Sequence, residues 1–168
     1  MKKIPLTQGQ VALVDDEDYE RLNVHKWRAQ WSSRTKSYYA LRSSPRKKGE
    51  KRTTILMHRE VMQAKPGECV DHLYHETCDN QKANLRLCTV NQNGANRGAQ
   101  TNNTSGFKGV GWHKRDQKWY ARISVNGKVK NLGYYSTPEE AAVVYDKAAL
   151  GYHGEFAVTN KSLGLLNE

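Results

Sequence analysis

The hydrophobic pattern is sharpest in the last third of the chain. From Lys118 to Val125 (KWYARISV), Trp119, Ala121, Ile123 and Val125 fall on one face of a strand, and Tyr120, Arg122 and Ser124 on the other. Asn126-Gly127 follows, a pair that fits the left-handed backbone of a type I′ hairpin turn. Lys128–Tyr135 is then the partner strand, and an earlier strand over Phe107–His113 completes a three-stranded meander. The period changes at Thr137. That residue is placed to cap a helix, Pro138 suits its first position, and Glu140 completes a capping box. Ala141, Val144, Tyr145 and Ala148 recur at helical spacing, a small-residue stripe that lets the helix lie close against a sheet. Gly151 is the predicted stop, and 161–168 reads as a frayed tail.

The first half reads as short strands. Gln10–Val14 (QVALV) suits a buried strand, and the acids Asp15 to Asp18 suit the start of a short helix. Trp27–Trp31 alternates at period two, and Ser37–Arg42 and Thr53–Met57 are further β-like runs. Between these two lies Ser44–Arg52, basic and broken by Pro45 and Gly49, hence a loop. Met57–Ala64 predicts a short helix that ends near Pro66-Gly67; its His58 reads as a packed or surface residue rather than a ligand. Val70–Arg97 contains the alternating run NLRLCT from Asn84 and a helix-like segment after Thr89. Gly98–Ser105 is polar, small and aperiodic, which marks a linker. The expected class is α+β, with a domain over 1–97, a linker over 98–105, a second domain over 106–160 and a tail.

Charge narrows the partner. Lys and Arg number 27 against 17 Asp and Glu, a net charge of +10, and the pI is about 9.6. That balance points first to nucleic acid, the alternative being a solvated surface. Arg46, Lys47 and Lys48 form either a phosphate-contacting arm or a solvated hairpin tip. Cys69, Cys78 and Cys88 are odd in number and form no C-x-x-C pair, which argues against a disulfide framework and a four-cysteine zinc site. No apolar run approaches the roughly 20 residues of a bilayer span, and the first residues do not read as a secretion signal. The expectation is a cytoplasmic protein of a bacterial or phage-infected cell, without membrane contact.

The candidate chemistry sits in Val70–Arg97. Asp71 offers a carboxylate oxygen and His72 an imidazole; Asn84, Asn91, Asn93 and Asn96 offer amides. Hydrolysis of a phosphodiester needs an activated water, charge stabilisation at phosphorus and help for the leaving oxygen. A neutral histidine can take the proton from water. Oxygen ligands select magnesium, manganese or calcium over zinc.

Val70-Asp71-His72, the turn Asp79-Asn80, Asn84-Leu85-Arg86, Thr89 and Asn93 resemble the HNH nucleases of the ββα-metal fold, and more narrowly the phage and intron-encoded HNH homing endonucleases. The resemblance implies a strand ending near His72, a second over Leu85–Cys88 and a helix after Thr89. It implies His72 as general base, Asp71 and Asn93 as ligands of one Mg2+ or Mn2+ per active site, and Asn84 as the residue that ties the loop and orients His72. Where the family has a short Asp-Gly turn, this chain has Leu73–Cys78.

Residues 106–160 resemble a second family, the Apetala-type domain of plant ethylene-response factors. The resemblance rests on Gly106–Val110, Lys118–Ile123, Leu132–Tyr135 and the run from Glu140 to Ala149. It implies a sheet that enters the major groove of double-stranded DNA with a helix behind it. It suggests Lys108, His113, Arg115, Arg122 and Tyr145 as contacts. The face argument adds Ser124, and the charges of Lys128 and Lys130 are further candidates. Gly111 and Asn131 stand where the plant family has arginine and tryptophan, so sequence preference does not carry over. The expected protein is a metal-dependent homing-type DNA endonuclease, acting as a monomer or weak dimer. The alternatives are a DNA-binding regulator with a degenerate HNH unit and, on charge alone, an RNA-binding accessory protein.

Overall fold

The structure, a computed structural model, describes residues 1–46, 48–49, 51–99 and 103–166. Lys47 and part of the expected linker therefore lie outside the described residues. The chain divides into two compact units, Met1–Thr89 and Val90–Glu168. The fold is mixed α/β, with small antiparallel sheets and four α-helices among the described residues. No helix among them is long and apolar enough to cross a membrane.

The first unit opens with a hairpin of β1 (Lys2–Pro5) and β2 (Val11–Val14), in which Ile4 faces Ala12. The sequence pattern did not predict β1, because Ile4 is its one buried residue. Helix α1 (Asp16–Asn23) follows, with Asp16, Glu17 and Asp18 in its first turn, where acids oppose the helix dipole. Strands β3 (Arg28–Ser32), β4 (Ser37–Ser43) and β5 (Thr54–Leu56) form a sheet in that order. Helix α2 (Met57–Val61) leads to a second hairpin, β6 (Cys69–His72) with β7 (Leu85–Cys88). One core joins these elements: Ile4, Ala12, Val14, Leu22, Trp27, Ala40, Met57, Val61, Val70 and Leu85. Burying a large apolar side chain there is worth about 1.5–3 kcal/mol. The Trp27 indole N–H is satisfied inside it by the Leu22 carbonyl at 2.8 Å.

The second unit holds α3 (Val90–Ala95), the meander of β8 (Val110–His113), β9 (Lys118–Val125) and β10 (Lys128–Tyr135), and α4 (Pro138–His153). Helix α4 lies over the sheet through Ala141, Ala142, Tyr145 and Ala149 against Val110, Ala121 and Ile123. The expected capping box is present: Thr137 Oγ1 accepts from the Glu140 N–H, and the Glu140 carboxylate accepts from the Thr137 N–H. Three boundaries differ from the sequence reading. Strand β8 begins at Val110 because Gly109 turns the chain at φ 76°. Helix α4 runs through Gly151 and ends at Gly154, φ 53°. Over 161–166 the expected tail is packed: Asn160, just before it, is fully buried and Leu166 packs on the core. Asn160 accepts from the Lys108 N–H at 2.6 Å, and its amide donates to Asp146 at 2.9 Å.

Candidate active site and nucleic-acid interface

Strand β6 ends at His72, which lies opposite Leu85 and on the face of Val70 that meets the core. The side chain is 5% exposed. Its ring meets that of His58, from α2, edge to face with centroids 5.0 Å apart. Tyr39, from β4, completes a triangle at 6.1 Å from His72 and 6.0 Å from His58. Burial pushes the His72 imidazole below its ordinary range, against the Asn80 hydrogen bond and the carboxylates of Asp71 and Asp79, which pull it up. Burial, then the neighbouring His72 and Arg59, push His58 down to about 3. Both imidazoles are therefore neutral at pH 7, the state in which a histidine can accept a proton.

Asp71 points to the other side of the hairpin. Its cross-strand partner is Arg86, whose Nε and Nη2 donate to Asp71 Oδ2 at 3.2 and 3.0 Å. Both side chains are nearly buried. The strand is regular through Asp71 and His72, so the pair divides between two faces.

The loop after His72 is held from three sides. Asn84, 2% exposed, accepts from the Tyr74 N–H at 3.1 Å and donates to the Glu76 and Asp79 carbonyls at 3.2 and 2.8 Å. Strand β2 exchanges backbone bonds with it: Leu13 N–H to Cys78 O at 2.9 Å and Asn80 N–H to Leu13 O at 2.8 Å. The Thr77 hydroxyl and the Cys78 thiol both donate to the Tyr38 carbonyl. A long loop thereby stays fixed, with His75 in the left-handed region at φ 62°.

Asn93 lies on α3, within the second unit, and is half-buried. Among the described residues, no three His, Cys, Asp or Glu side chains cluster to hold a metal ion. In the first unit the carboxylates of Asp71 and Asp79 both act on His72, and Arg86 engages one oxygen of Asp71. Such oxygen donors fit a magnesium-type ion in kind, since that ion is commonly held by one or two carboxylates with waters and phosphate oxygens completing its shell.

The predicted DNA contacts separate by face. Arg122 and Ser124 lie on the open side of the meander, opposite the buried Ala121 and Ile123. His113 shares that side; its ring meets Tyr134 at 5.3 Å and its Nδ1 lies 3.3 Å from Asp116. Arg115 is exposed, with Nε 3.1 Å from Asp116. Lys128 and Lys130 pair with Val125 and Ile123, so they lie on the helix side, where the Lys130 ammonium sits 4.5 Å from the Tyr152 ring centroid. Lys108 turns inward: its ammonium donates to the Ala95 and Val158 carbonyls at 2.7 and 3.0 Å, and burial lowers it to about 8. Tyr145 is a core residue, and burial pushes its hydroxyl up to about 12. Arg46 and Lys48 are exposed on their loop. An open groove of about 660 Å³ borders the sheet, lined by Arg97, Lys114, Tyr120, Arg122 and Ser124 among others.

Sequence reasoning missed Tyr39 and Arg86 and set His58 aside. Arg86 stands in the run NLRLCT, where knowledge of the strand register would have placed it against Asp71. Nothing in the local pattern brings His58 to His72; that contact is tertiary.

The geometry defines a two-unit α/β protein that joins a hairpin carrying a buried neutral histidine to an open-faced basic meander. The chain is 31% identical over 91 residues to Protein 3.8 of Escherichia phage T7, covering 54% of this chain and 74% of that protein. By that extent the chain belongs to the family of Protein 3.8. It is 33% identical over 92 residues to the uncharacterized HNH endonuclease L560 of Acanthamoeba polyphaga mimivirus, covering 55% of this chain and 46% of that protein. Over 58 residues it is 47% identical to the ethylene-responsive transcription factor WRI1 of Arabidopsis thaliana, covering 33% of this chain and 14% of that protein. The chain thus spans under half the length of the last two. No family model matches it.

Proposed function

We propose that this protein is an HNH-type DNA endonuclease whose second unit anchors it on double-stranded DNA. The observation that carries the reading is His72: a buried, neutral imidazole at the end of β6, followed by a loop that Asn84 ties in place. The likenesses to an HNH endonuclease and to a transcription factor of the ethylene-responsive type support the two halves of the reading. In sequence order, β6, β7 and α3 would be the two strands and the helix of a ββα-metal unit.

His72 takes the proton from the attacking water, and Asn84 keeps the loop that follows it in one conformation. Asp71 and Asn93 would supply oxygens to one Mg2+ or Mn2+; the part of Asn93 rests on its sequence spacing. A bound ion of this type stabilises charge at phosphorus and assists the leaving oxygen. Arg86 orients the Asp71 carboxylate through two hydrogen bonds from one guanidinium.

The test is nicking of supercoiled plasmid in magnesium. The wild type should nick, and His72→Ala should lose about 100-fold or more of the rate while it still binds duplex DNA. Wild-type rates in His72→Ala would refute the assignment of the base. A second reading, a DNA-binding regulator with an inactive hairpin, is favoured by the engagement of Asp71 with Arg86. Absence of nicking with magnesium and manganese on several DNAs would select it.

A further inference from the structure

The hairpin that ends in His72 carries two cysteines face to face. Cys69 of β6 stands directly opposite Cys88 of β7. All three cysteines of the chain are thiols. Residues directly opposite each other on antiparallel strands point to the same side. Asp71 and Arg86 are the next opposed pair on that side, and their hydrogen bonds show that side chains there meet across the strands. Cys69 is half-buried and Cys88 is 9% exposed.

The register sets the spacing. The Leu73 N–H donates to the Asn84 carbonyl at 2.9 Å, which makes those two a hydrogen-bonded pair. Such pairs alternate with unbonded ones along antiparallel strands, so Asp71 with Arg86 and Cys69 with Cys88 are of the same kind. The Cα atoms of such a pair lie about 5.5 Å apart, inside the range of roughly 4.4–6.8 Å that disulfides span. The Cβ atoms of opposed residues stand about 4.5–5.5 Å apart, and a disulfide holds them at about 3.8 Å. The strands must therefore close slightly, and a link formed that way is strained and readily reduced. Cys78 is placed differently. Its loop runs beside Leu13, and its thiol donates to the Tyr38 carbonyl at 3.2 Å.

We propose that Cys69 and Cys88 are a reversible oxidation site, at which a peroxide links them across the hairpin. Cys69, the more open thiol, reacts first: its sulfur takes one oxygen from hydrogen peroxide, giving a sulfenic acid and one water. The Cys88 thiol then attacks that sulfur. The S–S bond forms, and the hydroxyl leaves with the Cys88 proton as a second water. Two thiols are oxidised and one peroxide is reduced. A dithiol reverses the link by exchange. The link closes the hairpin two positions from Asp71. This chemistry belongs to the hairpin itself and does not depend on the nuclease reading.

The experiment treats the full chain with a small excess of hydrogen peroxide, caps the remaining thiols by alkylation, and maps the digest by mass spectrometry without reduction. The expected product is a peptide pair joined through Cys69 and Cys88, two hydrogens lighter, with Cys78 alkylated. That pair should exceed links to Cys78 by about tenfold or more, because opposed positions alone meet the spacing of a disulfide. In urea the preference should pass to the shorter loops, Cys69 with Cys78 and Cys78 with Cys88. Cys78→Ser should link like the wild type. Cys88→Ser should leave a sulfenic acid on Cys69, captured by dimedone, and thermal melts of both variants check the fold. Dithiothreitol should restore the thiols of the wild type. Links that favour Cys78 in the folded chain, or Cys69 driven to sulfinic acid while Cys88 stays a thiol, would overturn the proposal. Links formed only between chains would overturn it as well.

Discussion

His58 shows what a single residue adds to this site. It lies against His72, and burial holds its imidazole neutral down to about pH 3. In the unfolded chain a histidine takes its proton near pH 6.5. Between those values the unfolded state binds the extra proton, so stability is complete above about pH 6.5 and falls as the pH drops towards 3. Below about pH 6 the slope for one such group approaches 1.4 kcal/mol per pH unit, and His72 adds in the same direction. Urea unfolding at pH 7 and pH 5 should show the loss, and His58→Gln should flatten it; an unchanged slope in the variant would contradict the assignment. The sequence made His58 visible as a residue. It did not reveal its neighbour, because the contact joins α2 to β6 across the core. Asp71 is the reverse case: its carboxylate stood out in the sequence, while its engagement with Arg86 depends on strand register.

Elements whose signals are local were the most legible. Strands β9 and β10, their Asn-Gly turn and the capped start of α4 match the pattern, and β6 and β7 fall where the HNH resemblance implies strands. Boundaries set by tertiary contacts were not. Gly109 ends the approach to β8 because the Tyr145 ring lies where its Cβ would be, 2.0 Å away, at a positive φ. Gly109→Ala should therefore destabilise the second unit by about 2 kcal/mol or more, read as a lower urea midpoint; an unchanged midpoint would show that Tyr145 moves aside freely. The loop after His72 makes a parallel case. Asn84→Ala removes three hydrogen bonds to loop backbone and leaves buried groups unsatisfied, at a cost of about 1–3 kcal/mol. Under the nuclease reading, nicking should fall well before the protein unfolds. Asn84→Asp, which keeps the acceptor but loses the donor, should be intermediate.

For the molecule as a whole, the charge of +10 leads to an expectation about duplex DNA. Binding that releases counterions should weaken by about a hundredfold or more from roughly 50 to 200 mM salt. A flat salt profile would count against a phosphate-contacting face. The inward turn of Lys108 and the helix-side placement of Lys130 limit that face to fewer cations than the sequence suggests. The sequence reading expected a domain over 1–97 and a linker over 98–105; the compact units divide after Thr89, and Val90–Arg97 falls in the second, where α3 packs on α4. A contact between helices far apart in the chain leaves no mark in the local pattern.

The buried Asn160 reaches back 52 positions to bind the backbone of Lys108 before the sheet begins, and it also binds Asp146 on the helix behind it. Synthesis on the ribosome runs in one direction, and this knot is tied late. The first unit is complete once Thr89 has emerged. The meander waits for a residue 71 positions later, Asn160, before its entry turn is fixed. A chain halted in that interval would carry a finished histidine hairpin and an unfinished meander.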